Sequence, residues 1–222
     1  MALSREISVL FKKEFKLDFR KKSAIFGLLL YIGGVVFICF LSFYLKTSKV
    51  NSITWNALFW IVLLFVSFNA IAKSFLGESQ NRNFYYYYVA SPQAIILSKI
   101  LYNVAMMILF CTVTLLFFQG TLQIDIGDPL IFWLNLGLGA IGFASSLTLI
   151  AGIAAKTGNG VLMSVLSIPV MFPLLLLLVK ISNHALDGLA RSIIWGDMLG
   201  VLAINLIVLA ASYLLFPYLW RT

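Results

Sequence analysis

The chain has 222 residues, 62% of them hydrophobic and 11% charged, with a mean hydropathy of +1.01. A soluble domain is nearer half apolar and about a quarter charged, so this composition excludes an ordinary water-soluble globule. The net charge of +8 sits beside apolar runs rather than forming a nucleic-acid footprint, and two distant cysteines, Cys39 and Cys111, form no metal-binding pair or disulfide framework.

Residues 1–23 place Leu3, Ile7, Leu10, Phe11 and Phe15 near helical spacing, with Arg5, Lys12, Lys13, Lys16 and Arg20 filling much of the remainder. That pattern predicts a basic amphipathic helix in the headgroup plane, and a plain topogenic anchor is the alternative reading. The basic region is long, the first apolar run is long enough to span, and no small-residue cleavage site follows, so it does not read as a cleavable signal.

Six apolar runs follow, at about 24–45, 53–72, 95–118, 130–154, 161–181 and 198–218. Backbone polar groups in hydrocarbon must be satisfied within their own segment, so runs near twenty residues read as membrane helices. Together with short connections they predict one all-α integral membrane domain over 1–222. All eight carboxylates (Glu6, Glu14, Asp18, Glu78, Asp125, Asp128, Asp187, Asp197) fall outside these runs. A protein that carries protons or metal ions through its own core keeps an ionisable group there. Transport by this chain is therefore expected to be powered from elsewhere.

Basic residues flanking spans remain in the cytoplasm. With the N-terminus inside, the cytoplasmic side holds twelve (Arg5, Lys12, Lys13, Lys16, Arg20, Lys21, Lys22, Lys73, Arg82, Lys99, Lys156, Arg221) and the outer side four (Lys46, Lys49, Lys180, Arg191). Both termini are expected in the cytoplasm. Outside, the 119–129 loop is acidic, and 182–197 is expected as a loop or short interfacial helix carrying the sole histidine, His184. That histidine reads as a wet loop residue, against the sharper reading of a haem or metal ligand.

Within the spans, Gly137, Ala140, Ile141 and Ala144 form a small-residue stripe, near Gly139 and Gly142, for intrachain packing or a dimer face. Asn69, Asn103, Asn135 and Asn205 are expected to hydrogen-bond between helices rather than line a substrate path. Pro169 and Pro173 lie four apart on one face of the fifth span, as a hinge or a fixed bend.

No lysine follows a glycine, so there is no P-loop, and a single histidine excludes HExxH. No catalytic, metal or cofactor site is assigned. The longest inner connection, 73–94, is the unusual one. It carries Glu78 and Arg82, then Phe84, Tyr85, Tyr86, Tyr87 and Tyr88, then Ser91 and Pro92. An aromatic belt at the membrane surface and a knob for a cytoplasmic partner are the two readings of the tyrosine run. Pro92 fits the first turn of the next helix, and Lys99 is expected to snorkel to the interface.

The pattern Phe75-x-x-Glu78, Ser91-Pro92, Lys99 resembles the first coupling segment of six-span ABC-2 type permeases. The stretches ASPQAIILSKILYN (90–103) and GNGVLMSVLSIPVMFPLLL (158–176) resemble the heme exporter protein B family of cytochrome c maturation, and the likeness covers essentially the whole chain. The tyrosine run departs from the leucine-rich stretch of other members. The resemblance implies a non-catalytic permease subunit of the bacterial inner membrane. It implies two copies paired with a separate ATPase, heme exporter protein A, which binds the ATP. It further implies a haem-handling membrane protein with a tryptophan-rich site, a small one-span protein and a periplasmic haem chaperone as partners. Haem is then the ligand of the complex, and the activity is ATP-driven release of the loaded chaperone. Glu78, Arg82, Phe84, Tyr85–Tyr88 and Pro92 are the expected ATPase-coupling residues. A secondary transporter or channel not coupled to ATP is the alternative. It calls for an ionisable or discontinuous mid-membrane site.

Overall fold

A computed structural model describes residues 3–20, 22–45, 50–76, 90–157 and 160–221. They form seven helices and no strand: α1 (Leu3–Arg20), α2 (Lys22–Tyr44), α3 (Ser52–Leu76), α4 (Pro92–Leu122), α5 (Pro129–Thr157), α6 (Gly160–Leu186) and α7 (Arg191–Arg221). Helices α2 to α7 are each long and apolar enough to cross a bilayer.

Several helix boundaries differ from the apolar runs. Helix α4 starts at Pro92 and ends at Leu122, α6 continues to Leu186, and α7 starts at Arg191. The expected outer loop or interfacial helix over 182–197 is therefore the end of one spanning helix, a tight turn, and the start of the next. Lys180 and Asp197 both lie within these helices and pair at 2.9 Å. Hydropathy marks where hydrocarbon is needed. Caps and ion pairs decide where the helix stops.

Helix α5 is the hub. It packs against α3, α4, α6 and α7, and most of its length is buried. Gly139 and Gly142 permit this approach. A Cβ on Gly142 would lie 2.7 Å from Asn205 Oδ1 and from Leu174 Cδ2, and one on Gly139 would lie 3.0 Å from the Trp60 ring. Gly137 faces open space, while Ala140 and Ala144 are fully buried. The close-packing surface of the stripe thus serves contacts within the chain.

Amide side chains stitch the hub. Asn135 donates to the Leu178 carbonyl (2.9 Å), Asn205 to the Leu138 carbonyl (3.0 Å) and Asn103 to Thr148 Oγ1 (2.8 Å). Asn69 departs from the expectation and donates to Phe65 in its own helix (2.9 Å). A further polar knot joins α3 to α6. Trp60 Nε1 donates to Ser182 Oγ (2.7 Å), Ser182 donates to Asn56 Oδ1 (2.7 Å), and Asn56 donates to Val179 O and Asn183 Oδ1. Beside it, the rings of Trp55, Phe59 and Phe118 stack or meet edge to face and Phe132 packs tilted against them, tying the starts of α3 and α5 to the end of α4. Such aromatic pairs add about 0.5–1.5 kcal/mol each beyond their burial.

Candidate coupling site

The site is built on the start of α4. Ser91 has extended backbone (φ −70°, ψ 141°), its hydroxyl accepts from the Ala94 amide, and Pro92 occupies the first turn. A proline there loses no hydrogen bond and has the helical φ already set. This Ser-Pro start fixes the point at which α4 begins.

Helix α1 holds that start in place. Glu6 Oε2 accepts from the Ser91 hydroxyl (2.8 Å) and amide (3.2 Å). Glu14 Oε1 meets Lys99 Nζ at 3.2 Å and Lys13 Nζ at 2.8 Å. Phe11 sits edge-on to Tyr102, ring centroids 6.5 Å apart. Glu6 and Glu14 are eight residues apart, as are Ser91 and Lys99. The two helices therefore run side by side in the same direction over about 12 Å, at 1.5 Å per residue.

Electrostatics follows the geometry. Hydrogen bonds from the Ser91 hydroxyl and amide hold the Glu6 carboxyl below its ordinary value. For Glu14, burial is the largest single influence and opposes ionisation. The Lys99 charge together with the Lys13 bonds outweighs it, and the carboxyl again lies below its ordinary value. Lys99 is 2% exposed. It does not snorkel to the interface as expected, because Glu14 meets its ammonium inside the protein.

Of the expected coupling residues, Pro92 lies at this base, while Glu78, Arg82, Phe84, Tyr85, Tyr86, Tyr87 and Tyr88 fall outside the described residues. Pro169 and Pro173 lie within α6, which remains helical through both, and both rings are exposed on the outer face of the bundle. The missing N–H groups leave the carbonyls of Val165 and Pro169 without their helical donors.

The opposite end carries a second junction. The Gly127 amide donates to Leu186 O (3.2 Å) and the Asp128 amide to Ala185 O (2.8 Å). Asp128 also accepts from the Ile131 amide at the head of α5 and pairs with Arg191 through Nε (2.6 Å) and a second nitrogen (3.2 Å). The Arg191 hydrogen bonds hold the Asp128 carboxyl below its ordinary value. Gly188 has φ +66° and ends α6 with a Leu189 amide bond back to His184 O, the left-handed helix stop that glycine favours. A Cβ on Gly127 would lie 2.6 Å from the Gly188 backbone. The 119–129 and 182–197 stretches are thus one joined surface. His184 is on the last turn of α6, not in a loop, with Nδ1 buried and without a hydrogen-bond partner among the described residues.

The reading of residue types missed Glu6, Glu14 and Asn56. Matched spacing was the available signal: two carboxylates eight apart on the apolar side of α1, opposite a serine and a lysine eight apart.

Comparison with curated proteins and with solved structures gave no match. The family described as CcmB protein matches residues 5–216, nearly the whole chain, and so takes in α1, the α4 base, the proline pair and the far-end junction. With six apolar helices long enough to span, this protein belongs to the CcmB family, the heme exporter protein B permeases, and is a multi-pass inner-membrane permease subunit.

Proposed function

We propose that this chain is the force-transmitting permease subunit of an ATP-driven cytochrome c maturation complex, with both termini cytoplasmic. The family match over residues 5–216 carries the reading. A separate ATPase, heme exporter protein A, binds the ATP, and two copies of each subunit assemble. The segment Glu78–Pro92 seats on the ATPase, with Glu78, Arg82, Phe84 and Tyr85–Tyr88 as contact residues. The haem-handling membrane protein, the one-span protein and the haem chaperone meet the periplasmic end. Haem is the cargo of the complex, and this chain binds no cofactor of its own.

Two features support transmission along α4. Its 31 residues are continuous from the Ser91 cap to Leu122, at whose far end the 123–128 connection is bonded to α6 and α7. A displacement at Pro92 then moves a rod rather than a chain of joints. ATP shifts the equilibrium only if the ATPase grips the two positions of this rod with different affinity. Reconstitution tests the proposal. ATP added to the assembled complex releases the haem-loaded chaperone, and the isolated permease neither binds nor hydrolyses ATP. Release without the ATPase, or stoichiometric nucleotide binding by the permease alone, contradicts it.

A further inference from the structure

The contacts of α1 with α4 consume one sign of charge. Glu6 and Glu14 both face the bundle, bonded to Ser91 and to Lys99 with Lys13. Arg5, Val9, Lys12 and Lys16 follow helical spacing on the opposite side, and all four are exposed. Val9 is 62% exposed and Phe15 45% exposed, so apolar surface borders the cations. A groove of about 690 Å³ runs along this helix, lined in part by Val9, Lys12, Lys13, Phe15 and Lys16. The outward surface is therefore cationic with an apolar border, and Glu6 and Glu14 are turned away from it.

Position adds the second constraint. Helix α4 has 31 residues, about 46 Å at 1.5 Å per residue, against a hydrocarbon core of about 30 Å. Part of α4 therefore lies beyond the hydrocarbon, and its one charged residue, Lys99, is in its early turns beside α1. Helix α2 begins two residues after α1 ends, so the cationic face stands where the chain enters the bilayer. Charge complementarity and an apolar border at headgroup depth fit one ligand class.

We propose that the outward face of α1, with Arg5, Lys12 and Lys16, is a binding site for acidic phospholipid, the phosphate on the cations and the upper acyl carbons against Val9 and Phe15. The full chain is reconstituted in phosphatidylcholine vesicles containing trace spin-labelled phosphatidylglycerol or spin-labelled phosphatidylcholine, and the motionally restricted fraction of each label is read. The wild type shows a several-fold preference for the phosphatidylglycerol label, weakened by salt. The triple variant Arg5→Gln, Lys12→Gln, Lys16→Gln loses the preference. The charge-keeping variant Arg5→Lys, Lys12→Arg, Lys16→Arg retains it, as does Lys180→Gln at the far end. Soluble glycerophosphoglycerol does not displace the label. No preference in the wild type, an unchanged preference in the triple variant, loss in the charge-keeping variant or displacement by the soluble headgroup overturns the proposal. The face would then be left for an acidic protein surface.

Discussion

Lys99 lies 2% exposed at the base of a membrane-spanning helix, with its ammonium 3.2 Å from Glu14 on the amphipathic helix. The pair joins two segments 85 residues apart in sequence. Removing one partner of a buried pair leaves the other charge without compensation, which costs more than the pair contributes relative to an apolar isostere. Glu14→Gln is expected to destabilise the folded protein by about 1–3 kcal/mol, below the roughly 3–5 kcal/mol of a fully buried pair because Glu14 retains some solvent contact. Lys99→Met is expected to cost less, and the exchange Glu14→Lys with Lys99→Glu to recover part of the loss. Thermal unfolding in detergent reads all three. Equal midpoints for wild type and Glu14→Gln would remove the pair from the account.

The α5 glycines make a prediction with an internal control. Gly142→Ala would place a methyl 2.7 Å from both Asn205 Oδ1 and Leu174 Cδ2, whereas Gly137→Ala meets nothing within 4 Å. Overpacking of this kind costs about 1–3 kcal/mol. Gly142→Ala should therefore lower the unfolding midpoint while Gly137→Ala leaves it unchanged or raises it slightly. The reverse order would mean that α5 is not the packing hub.

The far-end junction carries a pH dependence. Asp128 has its carboxyl below the ordinary 3.8, first through the Arg191 hydrogen bonds. A lowered carboxyl contributes stability that is fully present above the ordinary value and lost as pH falls through the folded value. The wild type should lose this increment below the ordinary carboxylate range. Asp128→Asn keeps a capping side chain but not the ion pair, so it should be less stable at neutral pH and lack that part of the acid dependence. Gly127→Ala should open the same junction at every pH, because its Cβ meets the Gly188 backbone. Unfolding midpoints across pH for the three proteins decide it. Parallel curves for wild type and Asp128→Asn would contradict the assignment.

The spans were legible because hydrocarbon tolerates so few alternatives, and the interhelical roles of Asn103, Asn135 and Asn205 followed from the same logic. Helix ends were not. Ser91 capping starts α4 ahead of its apolar run, and Arg191, paired with Asp128, starts α7 well before the run that announced it. The clamp between α1 and α4 was hidden for a different reason. Glu6 and Glu14 read as ordinary polar positions on a basic helix, and only the fold brings Ser91 and Lys99 beside them. Lys99 was misjudged because snorkelling assumes that water is the nearest partner for its charge.

The proposed site at which an ATPase drives the permease is the segment ending at Pro92. A few aromatic and arginine anchors usually dominate a protein interface. Substituting Phe84 and Tyr85–Tyr88 by alanine removes the aromatic anchors while leaving the Ser91 cap and the spans intact. The direct measurement is co-purification of the ATPase with this variant, alongside cytochrome c maturation in cells. The variant is expected to insert normally, lose most of the ATPase and fail in maturation, with Glu78→Lys retaining the ATPase but impairing maturation. Full ATPase recovery and normal maturation in both variants would contradict it and leave the tyrosine run as an aromatic belt.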